Sequence, residues 1–154
     1  MKNTYININK RQYKVPLKPI VVICIDGCDP EYLDIALQKN CIPTIENFME
    51  IGSYNIADSV IPSFTNPNNM SIVTGCPPSV HGICGNYLLD PDSGQEVMMN
   101  DVKFLRAPTI FKSFQEINKK IGIITAKDKL RALLGAGLTT VSYTHLTLPT
   151  SQWV

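Results

Sequence analysis

Six consecutive apolar residues, Ile20–Ile25 in the run PIVVICIDGCDP, constrain this chain more than any other stretch. All but Cys24 are β-branched, and no polar residue alternates with them. That pattern predicts a strand buried on both faces, the habit of a parallel sheet. The run ends in Asp26-Gly27. An acid at the carboxyl end of a central strand sits where open α/β sheets gather their chemistry. Asp-Gly is also a common turn pair, so Asp26 has a purely conformational reading beside the chemical one.

Helical signals follow the run. Asp29-Pro30 is a cap and first-turn pair, and EYLDIALQKN puts Leu33, Ala36 and Leu37 on one face. A second helix is predicted over Pro43–Ile51, with Ile45, Phe48 and Met49 apolar and Gly52 as its stop. Tyr54–Val60 reads as the next strand. Further on, YLLDPDSGQEVMM predicts a hairpin turning at Asp90–Gly94. Thr109–Lys119 predicts an amphipathic helix on Ile110, Phe111, Phe114 and Ile117, Lys120–Thr125 another buried strand, and AKDKLRALLG a helix ended by Gly135. Strands alternating with helices give an α/β fold with a mostly parallel sheet flanked by helices. Asp26, the Thr65 loop and the segment 126–129 would then meet at one sheet edge.

The stretch IPSFTNPNNMSIVTG carries the most specific local chemistry. Asn66 suits a helix N-cap, Pro67 the first turn, and Gly75 a left-handed stop. Thr65 would lie just before the helix, where N–H groups and the dipole favour an anion. Its hydroxyl can attack phosphorus, or simply help satisfy the helix start. The following CPPSVHGICGN is Pro- and Gly-punctuated loop, with His81 and Asn86 as its polar candidates. His81 reads as a hydrogen-bonding structural residue rather than a ligand.

Composition removes several alternatives. With 44% hydrophobic and 18% charged residues, the 154-residue chain has the balance of a soluble globular protein. A net charge of +1 argues against a nucleic-acid surface built on bulk charge. Five cysteines (Cys24, Cys28, Cys41, Cys76, Cys84) form no C-x-x-C pair, so a reducing cytoplasm is expected and no disulfide framework. Cys28 reads as packing. Residues 1–19 look like a polar lead-in with an edge strand near Tyr5–Ile8 and no apolar signal core. The longest apolar run is far too short to span a bilayer, so no membrane partner is expected.

Three segments, VVICIDGCDPEYL, IPSFTNPNNMSIVTGCPPSVHGICGNY and GIITAKDKLRALLG, together resemble the alkaline phosphatase superfamily. The nearest branch looks like the phosphonoacetate hydrolases, with the nucleotide pyrophosphatase/phosphodiesterase group beside it. The likeness covers about residues 20–138 and implies the amino-terminal part of an alkaline phosphatase-like hydrolase domain. It also implies two zinc ions, one held by Asp26 and Thr65, with Thr65 as nucleophile. Asn86 would hold a phosphoryl oxygen. Lys127 and Lys129 would face the carboxylate or phosphonate of a small substrate, although as bare charges they read as a solvated helix start. The implied reaction is hydrolysis of phosphonoacetate to acetate and phosphate, with a homodimer as the expected form of the full-length parent. The alternatives are a nucleotide pyrophosphatase/phosphodiesterase-like phosphoester hydrolase and an inert fragment lacking most metal ligands. Residues 139–154 are Thr-rich, carry no charge and match no family segment at this point. They read as an artefactual tail or as an odd terminal strand.

Overall fold

The computed structural model describes residues 4–125, 127–139 and 142–144, with the backbone alone for 128, 129 and 142–144. The side chain of Lys129, and all of His145, lie outside the described residues. Two compact units emerge, one of Met1–Lys18 with Val60–Val154 and one of Pro19–Ser59.

In the smaller unit, local signals make local structure. Helix α1 (Pro30–Gln38) starts where Asp29 accepts the Glu31 N–H at 3.0 Å, and Pro30 fills the first turn, where its missing N–H costs nothing. Helix α2 (Pro43–Ile51) begins at Pro43 and stops at Gly52, as the sequence predicts. The predicted strands do not form here. Ile20–Ile25 and Tyr54–Val60 join no ladder among the described residues. Ile20, Val21, Val22, Ile23 and Ile25 are 61–82% exposed. Cys28, read as packing, is exposed as well. A doubly buried strand takes its burial from neighbouring strands and covering helices, so the pattern states what the run needs rather than what this unit supplies.

An apolar run this open promotes self-association. The chain is expected to scatter light increasingly with concentration. Val21→Lys with Val22→Glu should suppress this without a folding cost, since neither side chain is buried. Unchanged scattering would locate the sticky surface elsewhere.

The larger unit opens with more than an edge strand. Strands β1 (Tyr5–Ile8) and β2 (Arg11–Lys14) form an antiparallel hairpin across Asn9 and Lys10, both at positive φ (48° and 63°). That is the geometry whose twist suits a two-residue hairpin. Ile6 and Ile8 are buried, and Asn9 Nδ2 donates to the carbonyls of Thr74 (2.8 Å) and Pro108 (3.0 Å). The hairpin is thereby seated on the end of α3 (Thr65–Thr74). Gly75 closes that helix at φ 66°, and a Cβ there would run into the Tyr13 hydroxyl, so both the conformation and the hairpin contact call for glycine.

Beyond α3, the expected loop contains a short helix, α4 (Pro78–His81), then the expected hairpin of β3 (Tyr87–Leu89) and β4 (Glu96–Met98). The Asp90 carboxylate accepts from Asp92 N and Ser93 Oγ at its turn. Helix α5 (Ile110–Glu116) is capped by Thr109, whose hydroxyl accepts the Lys112 N–H. Strand β5 (Gly122–Ile124) pairs in parallel with β6 (Ser142–Thr144), and α6 (Asp128–Leu134) follows β5 in sequence. That is the one parallel pair among the described residues, where three two-stranded sheets stand in place of the expected continuous sheet. Strand β6 falls within the segment 139–154. Met70 and Val73 of α3, Ile83, Ile123 of β5, and Leu130 and Leu133 of α6 make the core. This core sets the amino ends of α3 and α6 on a common support. No helix among the described residues is long and apolar enough to cross a membrane.

Candidate active site

Helix α3 buries Pro67, Met70, Val73 and Thr74, a stripe at helical spacing that fixes the rotation of its first turn. Phe64 is the N-cap and makes no side-chain cap bond, so the helix begins at Thr65, two residues before the start that an Asn66 cap would give. Thr65 is therefore the first helical residue rather than the one before the helix, and Asn66 becomes the second. Asn69 Nδ2 donates to the Thr65 carbonyl at 2.9 Å and steadies the turn.

A cleft of about 470 Å³ opens over this helix end. Its lining is Thr65, Asn66, Asn86, Tyr87, Met98, Lys127 and Leu130. Asn86 immediately precedes β3, and its carbonyl accepts the Met99 N–H at 2.8 Å, which extends the hairpin ladder by one step. Lys127 is the N-cap residue of α6, where its own N–H donates to Thr125 Oγ1 at 3.2 Å. Lys127 Nζ reaches back across 62 residues of sequence to donate to Thr65 Oγ1 at 3.4 Å, a long hydrogen bond. The two helix N-termini and the ammonium give the cleft a positive character, and none of its lining residues is acidic. A small multiply charged anion suits that wall. Tyr87, Met98 and Leu130 supply an apolar wall beside it.

Of the residues singled out from sequence, the structure brings Thr65, Asn86 and Lys127 together. Asp26 belongs to the other compact unit. It is exposed in the Pro19–Ser59 unit, followed by Gly27 at φ 72°, the conformation of a turn. Among the described residues no group of three or more His, Cys, Asp or Glu side chains could hold a metal ion. The described donors alone do not make a complete zinc site. Sequence reasoning missed Asn66, Tyr87, Met98 and Leu130. A partial signal existed for two of them, since Tyr87 and Met98 lie in the predicted hairpin, and the observed register sets them directly opposite.

His81, read as structural, is fully buried. Its Nδ1 accepts the Ile83 N–H at 3.1 Å, and Nε2 lies 2.9 Å from Ser71 Oγ. Burial lowers its pKa below that of an ordinary histidine, and the nearby Arg106 charge adds to this. Carbonyls of His81 and Pro67 act weakly the other way.

Comparison with known proteins places these features in context. Residues 20–153 match the model of the type I phosphodiesterase / nucleotide pyrophosphatase family. The chain is similar to phosphonoacetate hydrolase from Sinorhizobium meliloti 1021, solved in complex with phosphonoacetate. The two are 54% identical with a TM-score of 0.85, over 90% of this chain and 33% of that one. The same enzyme with phosphonoformate gives 55% identity and the same TM-score. An ectonucleotide pyrophosphatase/phosphodiesterase of Caenorhabditis elegans is 33% identical over 106 residues, 64% of this chain and 14% of the relative. The chain thus spans about a third of the solved enzyme and a smaller part of the curated relative. Likeness at this level carries the fold, α/β and alkaline phosphatase-like.

Proposed function

We propose that this chain, which belongs to the type I phosphodiesterase / nucleotide pyrophosphatase family, forms the nucleophile-bearing part of a phosphonoacetate hydrolase. The observation that carries the reading is the 3.4 Å approach of Lys127 Nζ to Thr65 Oγ1 in a cleft shared with Asn86. Thr65 Oγ attacks phosphorus and gives up its proton to solvent. The P–C bond breaks, and its electron pair leaves on carbon as the acetate carbanion or enolate, which takes a proton to become acetate. Water then hydrolyses the phosphoryl-threonine, releasing phosphate and restoring the hydroxyl. Asn86 holds a phosphoryl oxygen, while Lys127 and Lys129 face the substrate carboxylate, where charge builds as the carbon leaves. The phosphonoacetate bound in the similar Sinorhizobium enzyme supports this choice of substrate.

Zinc belongs to the proposal for the whole protein, with Asp26 and Thr65 as this chain's contribution to one ion. A zinc ion held with useful affinity takes about three or four protein ligands. The 154-residue chain alone is therefore expected to be inert. A cytoplasmic, homodimeric whole protein completes the reading. The phosphodiesterase alternative draws on the ectonucleotide relatives and on the apolar wall of Tyr87, Met98 and Leu130, which would suit an organic ester group.

The test is a chimera in which this chain replaces its matching third of the Sinorhizobium enzyme. With zinc supplied, the chimera is expected to release phosphate from phosphonoacetate, and the isolated chain to release none above the enzyme-free control. A folded chimera that hydrolyses nucleotide esters and ignores phosphonoacetate would favour the alternative. Release by the isolated chain, lost on Thr65→Ala, would show that the chain is not inert.

A further inference from the structure

The fully buried His81 imidazole is not one of the residues that line the cleft, yet it joins the two segments that form the cleft's polar wall. Because Ile83 N–H donates to Nδ1, that nitrogen carries no proton in the neutral ring. Nε2 then carries it and donates to Ser71 Oγ at 2.9 Å. Ser71 lies in the middle of α3, the helix that starts at Thr65. Ile83, itself fully buried, lies three residues before Asn86. One neutral ring therefore spans from the Thr65 helix to the segment that leads to Asn86. Gly82 turns the backbone between His81 and Ile83 at φ 89°, and a Cβ there would collide with the Phe104 carbonyl, so the segment has little freedom to re-register.

We infer that His81 is a positioning residue, a neutral clamp between Ser71 and the Ile83 N–H that sets the spacing of Thr65 and Asn86. The functional weight of that spacing rests on the reading proposed above, while the clamp itself does not. A protonated ring would donate from both nitrogens and set Nδ1–H against the Ile83 N–H. The surroundings oppose that state. Burial and the Arg106 charge disfavour the imidazolium, and α3 carries no ionisable side chain to offset them. Arg106 is itself fixed there, its N–H donating to the His81 carbonyl at 2.9 Å and Nη2 to the Ser79 carbonyl at 3.0 Å.

The linkage has a definite sign. With its folded pKa lowered, His81 binds a proton more readily in the unfolded chain. The clamp's contribution is complete above the ordinary value of 6.5 and declines as pH falls from there through the folded pKa.

Heteronuclear NMR of the 154-residue chain tests the clamp without any need for catalysis. The His81 ring is expected to show the Nε2–H tautomer at neutral pH and a midpoint below 6.5. The amide resonances of Thr65 and Asn86 should shift with that same midpoint, while those of β1 and β2 stay still. His81→Asn keeps an acceptor for Ile83, and His81→Gln keeps reach to Ser71. Neither can titrate, so the shared transition should vanish in both, and each should restore one half of the contact pattern. An Nδ1–H tautomer, a midpoint at or above 6.5, or Thr65 and Asn86 resonances indifferent to the titration would overturn the inference. So would simultaneous loss of the hairpin signals, which would mean general unfolding rather than positioning.

Discussion

Thr65→Ala in the chimera is expected to lower phosphate release from phosphonoacetate by at least about a thousandfold, the scale on which removing a nucleophile acts. The substitution takes away the attacking oxygen together with its hydrogen bond from Lys127 Nζ, an exposed contact rather than a core one. The N-cap of α3 is Phe64 rather than Thr65, and alanine is a good helix former at the first helical position. The buried stripe of Pro67, Met70, Val73 and Thr74 is untouched. Far-ultraviolet circular dichroism and the thermal midpoint should therefore match those of the parent chimera. Thr65→Ser should retain measurable turnover, since it keeps the oxygen at the same position. A Thr65→Ala chimera that kept a tenth of the parent rate would assign the attacking atom elsewhere and remove the central element of the proposed mechanism.

The features that were legible in the sequence are those fixed within one or two turns of chain. Asp29-Pro30 announces α1 because cap and first turn are adjacent residues, and Asp90 announces the β3–β4 turn through its own hydrogen bonds to Asp92 and Ser93. Gly75 announces the end of α3 because few other residues take φ 66° without strain. Where burial depends on distant partners, the reading fails. Ile20–Ile25 has the composition of a central strand and none of its pairing here, so the side chains stay open. Tyr54–Val60 fails in the same way. The start of α3 was displaced by two residues, since Asn66 is the better cap by type while Phe64 occupies the place. The hairpin at Asn9-Lys10 was missed because its turn lacks the usual glycine, and its seat on α3 comes from a contact 65 residues away.

The cleft shows the same division. Asn66 lies next to Thr65 and Tyr87 next to Asn86, so parts of the wall were within reach of a local reading. Lys127 was different. As a bare charge at a helix start it belongs in solvent, and it is exposed. Only the core packing of α6 against α3 carries its ammonium to Thr65.

That contact makes the lysines the sharpest test of substrate. If they face the carboxylate of phosphonoacetate, Lys127→Ala or Lys129→Ala removes a charge-assisted hydrogen bond of about 1.5–3 kcal/mol from that substrate. An aryl phosphate ester has no carboxylate at the same place and should lose much less. The expected result is a fall in kcat/KM of about ten- to a hundredfold for phosphonoacetate relative to the aryl ester. The 3.4 Å approach to Thr65 Oγ1 offers a competing role for Lys127, in which its charge stabilises the attacking oxygen. That role serves both substrates alike. Equal losses on Lys127→Ala, with Lys129→Ala still selective, would assign Lys127 to the nucleophile and leave Lys129 with the carboxylate. Equal losses from both substitutions would remove carboxylate recognition altogether, and with it the argument for phosphonoacetate over a phosphoester.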